Sequence, residues 1–186
     1  MTGLERFIEA KREEMAALER MDENAMRPWQ GIRPSFLQAL KSDVPELPAV
    51  IAEYKRASPS RGVICESLEP EEVARQYAGS CANALSVLTE ERYFHGSIDF
   101  LFRMAGTVTE GGRIVPMLRK DFLFHPLQVT ATLATPASAL LLIVRLTPDV
   151  RLLRDLREQA EAGGVEAVVE VFDERDLALA RESGAR

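Results

Sequence analysis

PAVIAEYK (48–55), EPEEVARQYA (69–78), ALSVLTE (84–90), SIDFLFRMAGTV (97–108), IVPMLRKDF (114–122), HPLQVTATLA (125–134), ALLLIV (139–144), VEAVVEVF (165–172) and DERDLALARE (173–182) decide the fold. Short apolar runs of strand length alternate with charged stretches of helical period, which is a βα unit repeated five times. Strands are predicted to begin near residues 49, 84, 114, 139 and 165, about 25 to 35 residues apart, the rhythm of right-handed parallel βα connections. Strands this apolar are covered on both faces. A doubly wound open sheet and a (β/α)8 barrel both satisfy this pattern, and periodicity alone does not choose between them.

The segment before residue 48 has a different texture. Leu4, Phe7, Ile8, Met15 and Leu18 recur at helical spacing among charges, so the first twenty residues are predicted to form one amphipathic helix that needs a surface to cover. Pro28, Gly31 and Pro34 then break the chain before a short helix from about Ser35 to Lys41. Residues 1–47 read as an N-terminal helical extension, and residues 48–186 as the β/α domain.

Composition narrows the function. The 186 residues are 46% hydrophobic and 28% charged, the profile of a globular protein, and 23 basic against 29 acidic side chains leave a net charge of −6. That balance offers no general attraction for nucleic acid or an anionic membrane, so an anionic ligand needs a local positive cluster. No apolar run reaches the roughly 18 to 20 residues that span a bilayer, and the amphipathic start lacks the apolar core of a secretory signal. Cys65 and Cys81 are too few for a disulfide scaffold or a zinc site, which points to the cytoplasm, with both thiols as packing residues and no metal.

The strand ends carry the chemistry. Read with period two, Glu53 and Lys55 share a face of the first strand, Lys120 ends the third on the face of Leu118, and Glu170 ends the fifth on the face of Val168. Charged residues stand there where apolar ones are expected. At the C-terminal ends of barrel strands such groups converge on an active site, and two carboxylates with two lysines tune each other for proton transfer near neutral pH. Taken singly, each is an ordinary solvated strand end; four in register on three strands point to a site. Arg56, Arg61 and Arg119 read as solvated surface charges, and His95 and His125 as loop residues.

These strand ends also carry a resemblance. IAEYKRASPSRG (51–62), ALSVLTEERYFHGS (84–97) and PMLRKDF (116–122), with ALLLIV and VEAVVEVFDERDL (165–177) following in order, resemble the strand signatures of indole-3-glycerol-phosphate synthases. The resemblance implies an α/β fold of the TIM (β/α)8 barrel family, here with about five βα units after the N-terminal extension. It implies ring closure, decarboxylation and dehydration of 1-(2-carboxyphenylamino)-1-deoxyribulose 5-phosphate, with no cofactor. Lys120 matches the general acid on the ketose carbonyl, Glu170 and Glu53 the carboxylates of the dehydration, and Lys55 a lysine that contacts the anionic substrate. Ser58, Leu88, Phe94, Phe122 and Leu141 match pocket-lining positions. Another phosphate-handling barrel, phosphoribosylanthranilate isomerase, has no reason to carry E-x-K-x-x-S-P-S.

The resemblance stops where the family would enter its sixth strand, so the last three βα units and their phosphate-binding glycine loops are expected to be absent. Little activity is expected from such a chain alone. Its unpaired sheet edges would favour self-association or a complementing segment, and a non-catalytic binding or assembly module is the rival reading. TPAS (135–138) departs from the family's usual turn before the fourth strand, although Pro136 is itself a turn former.

Overall fold

The computed structural model describes residues 3–21, 26–41, 48–80 and 82–186. Five strands form one sheet in the order β1-β4-β5-β6-β7, and β2 and β3 form a separate hairpin. The sheet strands are β1 (Ile51–Tyr54), β4 (Ala84–Leu88), β5 (Met117–Leu123), β6 (Ala139–Ile143) and β7 (Glu166–Glu170). Their starts fall within three residues of those the apolar runs predict. β1 runs parallel to β4 with Glu53 opposite Ser86, and β4 parallel to β5 with Leu88 opposite Lys120.

The chain divides into two compact units. One comprises residues 31–121 and 135–139; the other comprises residues 1–30, 122–134 and 140–186. In the first, α4 (Pro70–Gly79) and α5 (Asp99–Arg103) follow β1 and β4. Val73, Ala74 and Ala78 of α4 pack with Leu85, Val87, Phe100, Leu101, Met104 and Met117 in one apolar core. Each large aliphatic side chain buried there contributes about 1.5–3 kcal/mol. Pro70 opens α4, where its missing N–H costs nothing.

The third strand begins at Met117 rather than near residue 114. Ile114 is taken by an antiparallel bridge to Val108, closed by a turn through Gly112 at φ +79°. The run IV was read as strand because it is apolar, but a local turn claims it first. SPSRG, part of the motif that carries the resemblance, lies in the β2 (Ala57–Ser58) and β3 (Gly62–Val63) hairpin. Ser58 Oγ accepts from Arg61 N at 3.2 Å, and Gly62 takes the φ of +64° that such a turn requires.

In the second unit, α7 (Val150–Ala162) buries Leu153, Leu156 and Ala160, spaced along one helical face, against Leu140, Leu142, Val144 and Val165. Asp149 caps it by accepting from Arg151 N at 2.8 Å and Leu152 N at 3.3 Å. His125 is more than a loop residue, because it caps α6 (Pro126–Leu133). Its Nδ1 accepts from Leu127 N while Gln128 Oε1 accepts from His125 N. α8 (Glu174–Glu182) starts on Asp173, which accepts from Asp176 N at 2.9 Å.

The first helix is two short ones, α1 (Glu5–Ala10) and α2 (Arg12–Leu18). At Lys11 the backbone tightens, its N–H shared between the carbonyls of Phe7 and Ile8. Phe7 and Leu18 are buried as their spacing predicts, whereas Ile8 is exposed and Lys11 is buried beside Glu14. The covered surface is α6, on which α2 packs. α3 (Phe36–Leu40) is the predicted short helix, with Ser35 as its N-cap. The boundary at 47/48 between extension and β/α domain falls beside residues 42–47, outside the described residues, and so does Cys81.

Candidate active site

β1 is only four residues long, so its alternation is easily followed. Tyr54 turns into the core, with its hydroxyl donating to Leu68 O at 2.9 Å, while Glu53 turns the other way. Ser86, opposite Glu53 on β4, donates its hydroxyl to Glu53 Oε2 at 3.3 Å, and Tyr77 OH donates to the Glu53 carbonyl at 3.2 Å. Ser86 thereby holds the carboxylate, and Tyr77 the backbone that carries it.

Two lysines reach it. Lys55 Nζ donates to Glu53 Oε1 at 2.7 Å, and Lys120 Nζ donates to Glu53 Oε2 at 2.9 Å. Lys120 comes from β5, 67 residues away in sequence, and arrives because register sets it beside Leu88 of β4. Burial by itself would raise the carboxyl of Glu53, but hydrogen bonds and charge from Lys55 and Lys120 outweigh it and hold the group below the usual carboxylate range. All three side chains keep a share of their surface in solvent, between 27% and 39%. One carboxylate between two ammonium groups leaves a surplus positive charge facing a reachable surface.

Ser58 and Leu88 lie in the same unit and are buried, Ser58 in the hairpin after β1 and Leu88 at the end of β4. Phe94 is half-buried in the loop after β4, and its carbonyl accepts from Ala57 N at 3.1 Å. Glu170, Phe122 and Leu141 belong to the other unit. Glu170 ends β7, half-buried, with its carbonyl accepting from Val144 N at 3.1 Å; Leu141 is buried in β6. Phe122 stacks on Phe7 with ring centroids 3.8 Å apart, a partner that its strand-end position did not announce.

Two readings of charge change. Arg119 is not a solvated charge: it is 1% exposed, with NH2 3.1 Å from Asp121 Oδ2 and Nε donating to Thr89 Oγ1 at 3.1 Å. Arg56 is packed as well, its guanidinium 4.6 Å from the centre of the Phe100 ring and its Nε donating to Tyr54 OH at 2.8 Å. Both were read from single letters, whereas each also has a partner far away in sequence, Thr89 for Arg119 and Phe100 for Arg56. Arg61 is exposed as expected. His95 is in a loop, yet it faces Glu66, with Nδ1 2.5 Å from Oε1. Cys65 is only partly buried and lies 3.5 Å from Ser67 Oγ, so it is not a core thiol.

Glu90 is the residue that the sequence reading missed. It is 1% exposed and accepts from the backbone N–H groups of Arg92, Tyr93 and Phe94 at 3.1, 2.7 and 3.0 Å, which shapes the loop carrying Phe94. Gly96 closes that loop where a Cβ would stand 2.4 Å from the Leu88 carbonyl. The signal was present in TEE, an acid placed directly after a buried strand.

At the end of β6, Arg145 donates from Nε to Asp176 Oδ2 at 3.0 Å and from NH2 to Asp173 Oδ2 at 2.8 Å, with Phe172 stacked 4.5 Å from its guanidinium. Asp176 Oδ2 also accepts from Phe172 N at 3.0 Å, so the turn after Glu170 is tied to the next helix. Among the described residues, no group of three or more His, Cys, Asp or Glu side chains is arranged to hold a metal ion, and no helix is long and apolar enough to cross a membrane.

The model of the family described as indole-3-glycerol phosphate synthase matches residues 4–186. The chain is 40% identical to the indole-3-glycerol phosphate synthase of Chlorobium phaeovibrioides (strain DSM 265 / 1930) over 190 residues, covering 100% of this chain and 70% of the relative. That of Shouchella clausii (strain KSM-K16) is 39% identical, with 94% of this chain and 64% of the relative covered. That of Chlorobium luteolum (strain DSM 273 / BCRC 81028 / 2530) is 38% identical, with 100% and 70% covered. The chain thus spans about two thirds of the length of these relatives. Its parallel strands with alternating helices follow the β/α pattern of that family's barrel. With a match over nearly its whole length, the chain belongs to the indole-3-glycerol phosphate synthase family.

Proposed function

We propose that the protein carrying this chain makes indole-3-glycerol phosphate from 1-(2-carboxyphenylamino)-1-deoxyribulose 5-phosphate, in the cytoplasm, as a decarboxylating lyase of tryptophan biosynthesis. The observation that carries the reading is the single carboxylate of Glu53 shared by Lys55 and Lys120. Its surplus positive charge suits a substrate that brings a carboxylate and a phosphate.

The chemistry needs three proton movements. The aromatic carbon bearing the carboxylate attacks the ketose carbon, and negative charge grows on the ketose oxygen. Lys120 is the group that meets it, as a cation that lowers the barrier and then as the proton donor. Carbon dioxide leaves with its bonding pair returned to the ring, which restores aromaticity. The new hydroxyl then departs as water, which takes one proton for the leaving oxygen and releases one from the neighbouring methylene carbon. Glu170 and Glu53 are assigned to that step. Because its carboxyl lies below the usual range, Glu53 is ionised at neutral pH and suits the accepting side, while it also holds both lysines in place. Lys55 contacts the substrate's anionic groups. Ser58, Leu88, Phe94, Phe122 and Leu141 are assigned to the pocket wall, where the aromatic and aliphatic members hold the anthranilate ring.

The test is turnover in the protein that carries this chain, followed by the fluorescence of the indole product. Lys120→Ala should lower kcat by about two orders of magnitude, as for loss of a general acid. Unchanged turnover in that variant overturns the reading.

A further inference from the structure

On the face of β5 opposite Lys120, where strand residues of a β/α fold are ordinarily apolar, the chain buries an ion pair. Arg119 is 1% and Asp121 2% exposed, and Thr89, at the end of β4, is 3% exposed. Removing two charges from water is costly, and replacing such a pair by apolar residues is often neutral or stabilising, so stability alone does not account for it. A better attested use of buried polar groups is to set register.

The geometry assigns that use here. Thr89 ties the two strands at three points: its N–H donates to the Lys120 carbonyl at 3.1 Å, its hydroxyl donates to Asp121 Oδ2 at 2.6 Å, and it accepts from Arg119 Nε at 3.1 Å. Arg119 NH2 closes the triangle on Asp121 Oδ2 at 3.1 Å. The residues on both sides of Lys120 are therefore fastened to one residue of the neighbouring strand. A slip of one residue would turn Lys120 to the opposite face, away from Glu53. Apolar side chains can fill the same space without specifying which residue stands opposite which.

We infer that Thr89, Arg119 and Asp121 form a positioning set that holds Lys120 against Glu53 in working register, acting through the backbone of Lys120 and touching no substrate. This rests on Lys120 being the general acid, and the test separates the two claims. In the protein that carries this chain, kcat, KM, the pH profile of kcat and unfolding stability are measured for the wild type, Lys120→Ala, Thr89→Val, Thr89→Ser, and a triple variant with Thr89→Val, Arg119→Met and Asp121→Leu. Thr89→Val should lower kcat about tenfold or more with KM changed less than about twofold, because misplacement of a reacting group acts on the transition state. Thr89→Ser should restore kcat. The triple variant, apolar throughout, should fold with stability near the wild type and still lose kcat.

Wild-type kcat in folded Thr89→Val or in the folded triple variant overturns the inference. So does a kcat that follows unfolding stability across the set, or failure of both variants to fold, because each marks a purely structural role. Full turnover in Lys120→Ala instead overturns the reading of Lys120 itself, whatever the Thr89 variants do.

Discussion

Two clusters at strand ends use the same kinds of side chain in opposite proportion. After β1 and at β5, one carboxylate, Glu53, serves two lysines; at β6 one guanidinium, Arg145, serves two carboxylates, Asp173 and Asp176. The first leaves positive charge over for a ligand. The second leaves negative charge over and also spends Asp173 and Asp176 on the backbone N–H groups of Asp176 and Phe172. Charge at a strand end is therefore not in itself a sign of catalysis; the stoichiometry and the backbone contacts separate a group that can act from one that fastens a turn.

The sharpest way to break that contrast is Glu53→Gln. With the shared carboxylate gone, both lysines lose the charge that holds them, and kcat should fall by about a hundredfold, read by product fluorescence. A variant near wild-type turnover would place Glu53 with the fastening groups. Next in size is Glu90→Ala, which leaves three backbone N–H groups without their acceptor and should cost about 3 kcal/mol in denaturant unfolding, since bonds to a charged acceptor are worth more than neutral ones.

Acid titration compares the clusters directly. The carboxyl of Glu53 is depressed in the fold, so its stabilising contribution is complete above the unfolded value of about 4.3 and is lost as pH falls through the lower folded value. Unfolding followed from pH 6 downward should show a stability loss below about pH 4 that Glu53→Gln lacks. Asp173 is depressed too, first by the Asp176 N–H and then by Arg145, and has the same sign, but it is exposed and Asp173→Asn should remove a smaller slope. The smallest effect is expected from Arg145→Met, whose guanidinium and Asp173 partner are solvent-facing. Its Tm should fall by about 2–4 °C at most, and turnover should change less than in Glu53→Gln.

Sequence by itself determined the parallel β/α order, because each apolar run is long enough for one strand and too short for a helix. It also determined that Glu53 and Lys55 share a face and that Lys120 points with Leu118, since side-chain alternation in a strand has a fixed period of two. The helix starts at Ser35 and the breaks at Pro28 and Pro34 were legible for the same local reason. Tertiary structure alone decided where charge is buried. Nothing in the letters RKD says that Arg119 and Asp121 turn into the protein while Lys120 between them does not, because Thr89, which bonds to both of them there, lies 30 residues from Arg119 at the end of another strand. Glu90 is hidden for a related reason: its partners are near in sequence, but only the closed loop aims three N–H groups at one carboxylate. Phe122 against Phe7 and Arg56 against Phe100 are likewise long-range meetings, and a pairing between distant segments is settled by packing rather than by the pattern of either segment.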